Sequence, residues 1–334
     1  MPLTLWSRLP LGLALWLAVG AHPGCSDRFT EPQLLGGVWV QPEVLEAGRA
    51  VYVRECSGCH GEQGEGARAA AHNEPAPRDL REGVFKFTSL PGGGLPTDDD
   101  LIGTIREGLD GTRMVSRHDL DQSAVTAVVQ FIKTFSPRWR RERQLAPAPD
   151  VADPWPEGSR SAAIARGYEV FHVEGTCWTC HTAYANISTV REIAARSSRM
   201  SRDSVEKALQ AKGDILIPTL VETRFGNVLP PDFLDGRVRA AKGPRGLYRT
   251  IANGVGGTPM PAWAGRLSPK DLWAVIHYVQ ELVRVRGTPS AGRYRLGLPG
   301  TSAVTPIVAP TSDNRGNPHR IPAHRPSPLD IKGY

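Results

Sequence analysis

Long hydrophobic runs are scarce in this sequence of 334 residues. The apolar run Leu9–Ala21 has 13 residues, which is too short to span a bilayer but has the length of the apolar region of a signal peptide. Charged residues make up 22% of the chain and its mean hydropathy is slightly negative, so a polytopic membrane protein and wholesale disorder are both excluded. The length predicts two domains.

Cysteine is also scarce, and because the chain has five, a purely disulfide framework would leave one unpaired. Four of them fall in two copies of Cys-x-x-Cys-His, the attachment motif for c-type haem. Two cysteines at this spacing on a helical turn both reach the vinyl groups of one porphyrin, and the next residue directs its imidazole at the iron. The two copies are Cys56-Ser57-Gly58-Cys59-His60 and Cys177-Trp178-Thr179-Cys180-His181.

Other uses of paired cysteines fit the pattern less well. Zinc ribbons usually keep their pairs within a few tens of residues, whereas 117 residues lie between Cys59 and Cys177. A thioredoxin-like redox pair is expected once, and no histidine has to follow it. Two disulfide bonds remain conceivable in an exported chain. Because both copies end in histidine, the sequence favours haem.

The segments around the two motifs repeat as well. A glycine and an aromatic residue four positions later, Gly48 with Tyr52 and Gly167 with Phe171, share one face of a predicted helix. Glycine lets a second helix approach closely while the aromatic ring fills the contact. A loop of spacing Ile-x-x-Gly-x-x-Gly-Thr-x-Met and an amphipathic helix follow each motif. The loops are Ile105–Met114 and Ile251–Met260, and the predicted helices are Ser123–Phe135 and Ser268–Val283.

With these motifs, the sequence resembles the class I cytochrome c family, in tandem, over about residues 45–136 and 160–286. The resemblance implies a mainly α fold of two helical domains with long loops, each wrapped around one haem. It implies two covalently bound haem c groups as cofactors, attached through the four motif cysteines. It also makes the motif histidines the proximal iron ligands and the two loop methionines the distal ones. The implied site is therefore Cys56, Cys59, Cys177 and Cys180 for attachment, with His60, Met114, His181 and Met260 as axial ligands.

The methionines support this assignment because the chain beyond the signal segment has only three. Two of them, Met114 and Met260, occupy equivalent positions of the repeat, whereas Met200 falls on a predicted basic helix. Val115 follows Met114 where the family has proline, and His118 is therefore the alternative ligand for the first haem. A soft thioether suits haem iron and raises its potential relative to two histidines.

The N-terminal segment predicts export to the periplasm. Cleavage after Ala21 follows the small-residue rule, whereas Gly24-Cys25 resembles the end of a lipobox and would make Cys25 an acylated membrane anchor. The predicted organisation is a signal peptide at 1–24, a stem at 25–44, a first cytochrome domain at 45–136, a basic, proline-rich and extended linker at 137–160, a second cytochrome domain at 161–286 with an insertion near 186–224, and a disordered or surface-wrapped tail at 287–334.

The predicted function is that of a dihaem cytochrome relaying single electrons between an exported or membrane-bound donor and acceptor, as a carrier or as a subunit of a larger respiratory or dehydrogenase complex. No catalytic residue is assigned, because six-coordinate irons leave no position for a substrate. The alternative is a dihaem peroxidase, which needs one open haem. A subunit acting on sulfur compounds is a third possibility, but it would favour a cysteine ligand that neither domain offers.

The formal net charge of +6 is unevenly distributed. Residues 45–136 have 10 basic and 14 acidic side chains, a balance of −4, whereas residues 161–286 have 17 and 11, a balance of +6. A nucleic-acid partner is therefore not indicated. The two units are instead predicted to attract one another or to face oppositely charged redox partners.

Overall fold

The computed structural model describes residues 28–66, 76–147, 150–224, 226–236, 238 and 243–296. The signal peptide, Cys25, His72 and the tail beyond residue 296 lie outside these ranges. The fold is mainly α, and two small two-stranded sheets are its only strands within the described residues. Across those same ranges no helix has the length and apolar character needed to cross a bilayer.

The first unit begins with a β-hairpin and continues as a set of helices. Strands β1 (Gln33–Leu35) and β2 (Val38–Val40) pair antiparallel around Gly36-Gly37, whose φ angles of 64° and 91° favour glycine. Short 3₁₀ turns lie at Leu80–Glu82 and Pro91–Gly93. The helices are α1 (Pro42–Glu55), α2 (Ser57–His60), α3 (Asp98–Glu107), α4 (Gln122–Thr134) and α5 (Arg138–Arg141).

The second unit repeats this order with additions. Its helix α6 (Arg160–Glu169) runs into a π turn at Val170–Glu174, and a 3₁₀ turn at Cys177–Thr179 carries the second motif. The strands β3 (Val221–Thr223) and β4 (Gly226–Val228) form the second hairpin. The remaining helices are α7 (Ile187–Arg196), α8 (Arg202–Lys212), α9 (Gly243–Asn253), α10 (Pro269–Val285) and α11 (Pro289–Arg295).

Helix starts follow from the capping residues. The Asp121 side chain accepts the backbone N–H of Ala124 at 2.8 Å, and Ser268 accepts that of Asp271 at 3.1 Å, which places α4 and α10 within one or two residues of the amphipathic helices predicted from the sequence. Thr97 and Asp100 form a reciprocal capping box at the start of α3.

The same helix crossing organises both units. In α1 a Cβ on Gly48 would lie less than 3.0 Å from the backbone of Ala127 in α4, and in α6 a Cβ on Gly167 would meet Ala274 in α10 in the same way. Tyr52, four residues after Gly48, is fully buried. The predicted pairing of glycine and aromatic residue on one helix face is therefore confirmed, and each crossing sits in its own hydrophobic core.

Three local predictions are wrong. The linker was expected to be extended, but its start forms α5, because Trp139 is buried in the first core. The tail was expected to be disordered or wrapped along the surface from residue 287; its start is instead a helix, α11, which packs Ala291 and Tyr294 against the second core. Met200 does not lie on a helix; it precedes Ser201, which caps α8.

The later part of the linker lies against the second unit. The indole N–H of Trp155 donates to the carbonyl of Lys270 at 3.1 Å, and that of Trp273 donates to the carbonyl of Val151 at 3.1 Å. His277 contacts the Asp153 carboxylate at 2.7 Å. These bonds attach the connector to α10 instead of leaving it in solvent.

Candidate haem-binding sites

The first attachment motif occupies a single helical turn at the end of α1. The backbone N–H groups of Cys59 and His60 both donate to the carbonyl of Cys56, at 3.1 and 2.9 Å. The second motif repeats these bonds: Cys180 and His181 donate to the carbonyl of Cys177 at 3.2 and 2.9 Å. Both cysteines and the histidine of each motif are thus held on one turn.

Each motif histidine is oriented by a backbone carbonyl. The Nδ1–H of His60 donates to the carbonyl of Arg78 at 3.1 Å, and the Nδ1–H of His181 donates to the carbonyl of Pro231 at 3.1 Å. Because a carbonyl only accepts, Nδ1 carries the proton and Nε2 keeps its lone pair, the arrangement typical of a metal-ligating histidine. Burial lowers the pKa of both imidazoles, which favours the neutral form.

The two methionine loops have the same backbone. The carbonyl of Met114 accepts the N–H of Leu109 at 2.9 Å, and the N–H of Met114 donates to the Thr112 hydroxyl at 3.1 Å. In the second loop Met260 accepts from Val255 at 3.2 Å and donates to the Thr258 hydroxyl at 3.2 Å. The shared Gly-Thr-x-Met spacing therefore encodes one loop conformation used twice.

Each loop also depends on one glycine. Gly108 and Gly254 have φ angles of 67° and 76°, and a Cβ on either would lie 2.6 or 2.7 Å from the carbonyl oxygen of Met114 or Met260. A side chain at either position would both strain the backbone and displace the methionine.

The other histidines lie outside this arrangement. His118, the alternative ligand, is exposed, whereas Met114 is half-buried and packs against the first core. His172 is completely buried; its Nδ1–H donates to the carbonyl of Tyr168 at 2.7 Å and its Nε2 accepts from the backbone of Tyr184 at 3.3 Å. Burial lowers the pKa of His172 to about 4. Both its nitrogens are used in packing.

The thiols of Cys56 and Cys177 lack the lowered pKa that is typical of redox exchange. The four motif cysteines are free thiols in the structure. Burial raises the pKa of Cys56 to about 11 and that of Cys177 to about 12, whereas reactive exchange thiols have lowered values. Paired thiols, a neutral imidazole with a free Nε2 and a shaped thioether loop are the donor set of a covalently bound haem. The residues present therefore fit that group.

The insertion near 186–224 lies over the second motif; from the sequence, it was expected to cover part of the second haem, to form a docking surface or to be a neutral surface excursion, without its contact residues being named. The Lys212 ammonium, at the end of α8, donates to the carbonyl of Trp178 and to that of His181, the latter at 2.7 Å. Thr219 donates its N–H to the carbonyl of Cys180 at 2.8 Å and its hydroxyl to that of Thr179 at 2.9 Å. The signal for these contacts in the sequence was the position of the insertion, immediately after the second motif.

The two units meet at a contact that we call the seam, formed by Glu82, Phe85 and Lys86 of the first unit and Arg224 and Gly256 of the second. The N–H of Gly256 donates to the carbonyl of Lys86 at 3.0 Å, and the Arg224 guanidinium contacts the Glu82 carboxylate at 3.1 Å. A Cβ on Gly256 would lie less than 3.0 Å from the carbonyl oxygen of Phe85.

The seam joins unlike parts of the two sites. Gly256 belongs to the loop that carries Met260. Lys86 lies eight residues after Arg78, whose carbonyl orients His60. The histidine side of the first site thus adjoins the methionine side of the second.

Comparisons with known proteins agree with this geometry. The profile of the family described as "Cytochrome C oxidase, cbb3-type, subunit III" matches residues 43–132 and 162–279, one match for each unit. A chain of the Kuenenia stuttgartiensis reducing HAO-like protein complex is similar in structure, with 29% sequence identity and a TM-score of 0.53. That match covers 71% of this chain and 96% of the other. No curated protein matches the sequence.

Proposed function

Because the chain belongs to the family described as cytochrome c oxidase, cbb3-type, subunit III, we propose that it is a dihaem cytochrome that relays single electrons between protein partners. The observation that carries the proposal is the duplication of the whole donor set: two Cys-x-x-Cys-His turns, two carbonyl-oriented histidines and two superimposable patterns of hydrogen bonds in the methionine loops. Family membership implies covalently bound haem c; two donor sets support two haems.

The residues of the chain would act by holding and orienting. Cys56, Cys59, Cys177 and Cys180 would attach the porphyrins, and His60 with Met114 and His181 with Met260 would ligate the irons. A haem with these ligands supplies one-electron transfer at a fairly positive potential. Carbonyl bonds orient the two imidazoles and backbone bonds shape the two methionine loops, so the chain itself would hold the ligands in position.

The seam supports an internal relay. A backbone hydrogen bond from Gly256 to Lys86 brings the segment that follows Arg78, whose carbonyl orients His60, into contact with the Met260 loop. Electrons arriving at one unit would therefore pass to the other through packed backbone, not through solvent.

The proposed setting is the periplasmic face of a membrane, with Cys25 as a lipid anchor and a larger redox complex as partner. Support comes from the signal-like segment 1–24 and from the similar chain, which is part of a multi-protein complex. A donor or acceptor of a particular kind is not part of the proposal.

The test is haem counting combined with a redox titration. Intact mass should show two covalent haems, and Cys56→Ala with Cys59→Ala, or Cys177→Ala with Cys180→Ala, should each remove one. Oxidised protein should show two low-spin haems with the near-infrared thioether band. A single haem, or a high-spin signal together with peroxide turnover, would overturn the assignment in favour of a peroxidase.

The relay has its own test. Gly256→Ala should slow electron transfer between the haems after rapid reduction of the protein, while both optical spectra stay unchanged. Gly103→Ala is the matched control, since a Cβ at Gly103 in α3 meets nothing within 4 Å. An unchanged internal rate in the Gly256 variant would remove the seam from the path.

A further inference from the structure

The hairpin β1–β2 exposes apolar side chains at the N-terminal end of the first unit. Trp39 is 65% exposed and Val38 is 59% exposed. Leu34 lies directly opposite Trp39 in the sheet register, so the two side chains share the outer face of the hairpin. Leu145, 64% exposed, follows Gln144, which binds the hairpin turn. We call the outer pair Leu34 and Trp39 the hairpin patch; Val38 pairs with Leu35 on the other face and is exposed next to the turn.

The hairpin patch is held rigidly. The N–H of Gly36 donates to the carbonyl of Trp139 at 2.6 Å, and the carbonyl of Gly36 accepts from Gln144 at 2.9 Å. The inner face of the hairpin buries Leu35 and Val40 in the first core. The outer apolar side chains are therefore presented by an anchored element, and their exposure is a fixed property of the fold.

A basic rim borders the hairpin patch. Residues 137–147 carry four arginines and one glutamate, and that glutamate, Glu142, is paired with Arg138 at 2.6 Å. Arg141 and Arg143 are exposed and, among the described residues, form no ion pair; the Arg143 side chain lies beside Gly37 in the turn. Glu31 and Glu43 are exposed on the flanking segments of the hairpin, so the excess of positive charge comes from the arginine segment.

We propose that the hairpin patch binds the surface of an anionic phospholipid bilayer directly, with Trp39 and Leu34 in the interfacial layer and Arg141 and Arg143 on the headgroup phosphates. Tryptophan prefers this layer because its ring is apolar and its N–H is polar. Arginine is attracted to anionic headgroups. The inference goes beyond electron relay; its argument from chain position rests on the proposed anchor at Cys25, but the contact itself involves no acyl chain.

The position of the hairpin patch along the chain favours a bilayer over a protein partner. Gln33 lies eight residues after Cys25, and a chain of that length reaches at most roughly 28 Å when extended. With Cys25 as the proposed anchor, the hairpin is the first folded element next to the bilayer. An anchor at the N-terminus alone leaves the folded unit free to rotate, so a second contact with apolar and basic residues would fix its orientation on the bilayer.

The experiment uses the mature holoprotein with Cys25→Ser, so that no acyl chain contributes. Binding is measured by co-sedimentation with vesicles of phosphatidylcholine alone and of phosphatidylcholine with phosphatidylglycerol. We expect binding to the anionic vesicles only, weakened by salt, with Leu34→Ser plus Trp39→Ser lowering the partition coefficient roughly ten-fold or more. Arg141→Gln plus Arg143→Gln should lower it by roughly ten-fold and abolish the preference for the anionic lipid.

Ile217→Ser plus Leu220→Ser is the matched control, because these side chains are 57% and 60% exposed but lie in the second unit. It should bind as the parent does, and the haem spectra of every variant should be unchanged. Protection of the amides of 33–40 from hydrogen exchange on anionic vesicles would locate the contact. Absence of vesicle binding by the parent, or equal binding by the hairpin variants, would overturn the proposal in favour of a protein-docking surface. Neither outcome bears on the haem count.

Discussion

Among the described residues, the first attachment motif is open where the second is covered. Cys59 is exposed, whereas Cys180 is half-buried beneath Lys212 and Thr219, which donate to four carbonyls of the second motif. The turns themselves share the same internal hydrogen bonds. Local chemistry is thus set by five residues, whereas the environment of each site is set by a segment distant in the sequence.

A second contrast lies on the first helix of each unit. Val53 follows Tyr52 and is 60% exposed, but its counterpart His172 follows Phe171 and is completely buried. The π turn at Val170–Glu174 carries His172 into the core, where both imidazole nitrogens find partners. The second unit therefore holds a buried titratable group that the first lacks at this position.

The largest effect is expected where the two units are alike. Gly48→Ala and Gly167→Ala should each lower the free energy of unfolding by about 3 kcal/mol or more, because a Cβ at either position is driven into the backbone of the crossing helix. Thermal unfolding of the holoprotein measures the loss. Gly103→Ala should be neutral or stabilising. A tolerated alanine at one glycine but not the other would show that the crossings are not equivalent.

The next largest effect is a loss of stability at low pH that only the second unit should show. The pKa of His172 falls from 6.5 in the unfolded chain to about 4 in the fold, so the unfolded state takes up the proton first as the pH drops. Stability should fall between pH 6.5 and 4 by about 3 kcal/mol relative to His172→Gln, whose amide can make both hydrogen bonds without titrating. Urea unfolding at several pH values measures this loss of stability. Parallel plots of the free energy of unfolding against pH for the parent and for His172→Gln would contradict the prediction.

Removal of the Lys212 contacts over the second motif should affect the second site only. Lys212→Met leaves the carbonyls of Trp178 and His181 without their donor, and should cost about 1–3 kcal/mol. Stability and the two haem potentials in a redox titration are the measurements. The potential of the second haem should change and that of the first should not. Lys207→Met, exposed on the same helix, serves as control; an equal effect there would mean that only charge matters.

The smallest effect is expected at the seam. Arg224→Gln breaks an ion pair with Glu82 that is largely exposed, which is worth less than about 1 kcal/mol, and the backbone bond of residue 224 to Gly257 remains. Unfolding measured at low and high salt should show a small difference that disappears in high salt. A large loss of stability would mean that this single pair holds the units together.

The helical fold class followed from the resemblance that the motifs carry, and periodicity located the two amphipathic helices because it reports directly on local structure. The helix crossing was readable since only glycine permits it. The missed elements depend on distant partners: α5 exists because Trp139 enters the first core, and α11 because Tyr294 enters the second. The assignment of iron ligands remains a prediction that rests on the motifs and on the geometry described here.

Lys212 shows which part of the site could not be predicted from the sequence. In the sequence it is one more basic residue at the end of a basic helix, and such residues usually face solvent. Its role depends on where α8 is placed over the second motif, which no local pattern encodes. The carbonyl acceptors Arg78 and Pro231 precede Asp79 and Asp232 in two similar segments, Pro77-Arg78-Asp79-Leu80 and Pro230-Pro231-Asp232-Phe233, so they were more accessible to prediction.

The seam is an asymmetric contact, because the two units contribute different surfaces to it. At the seam, the segment after Arg78, whose carbonyl orients His60, lies against the loop that carries Met260. The surfaces that meet there are unlike, so a substitution at the seam has no mirror-image counterpart in the other unit.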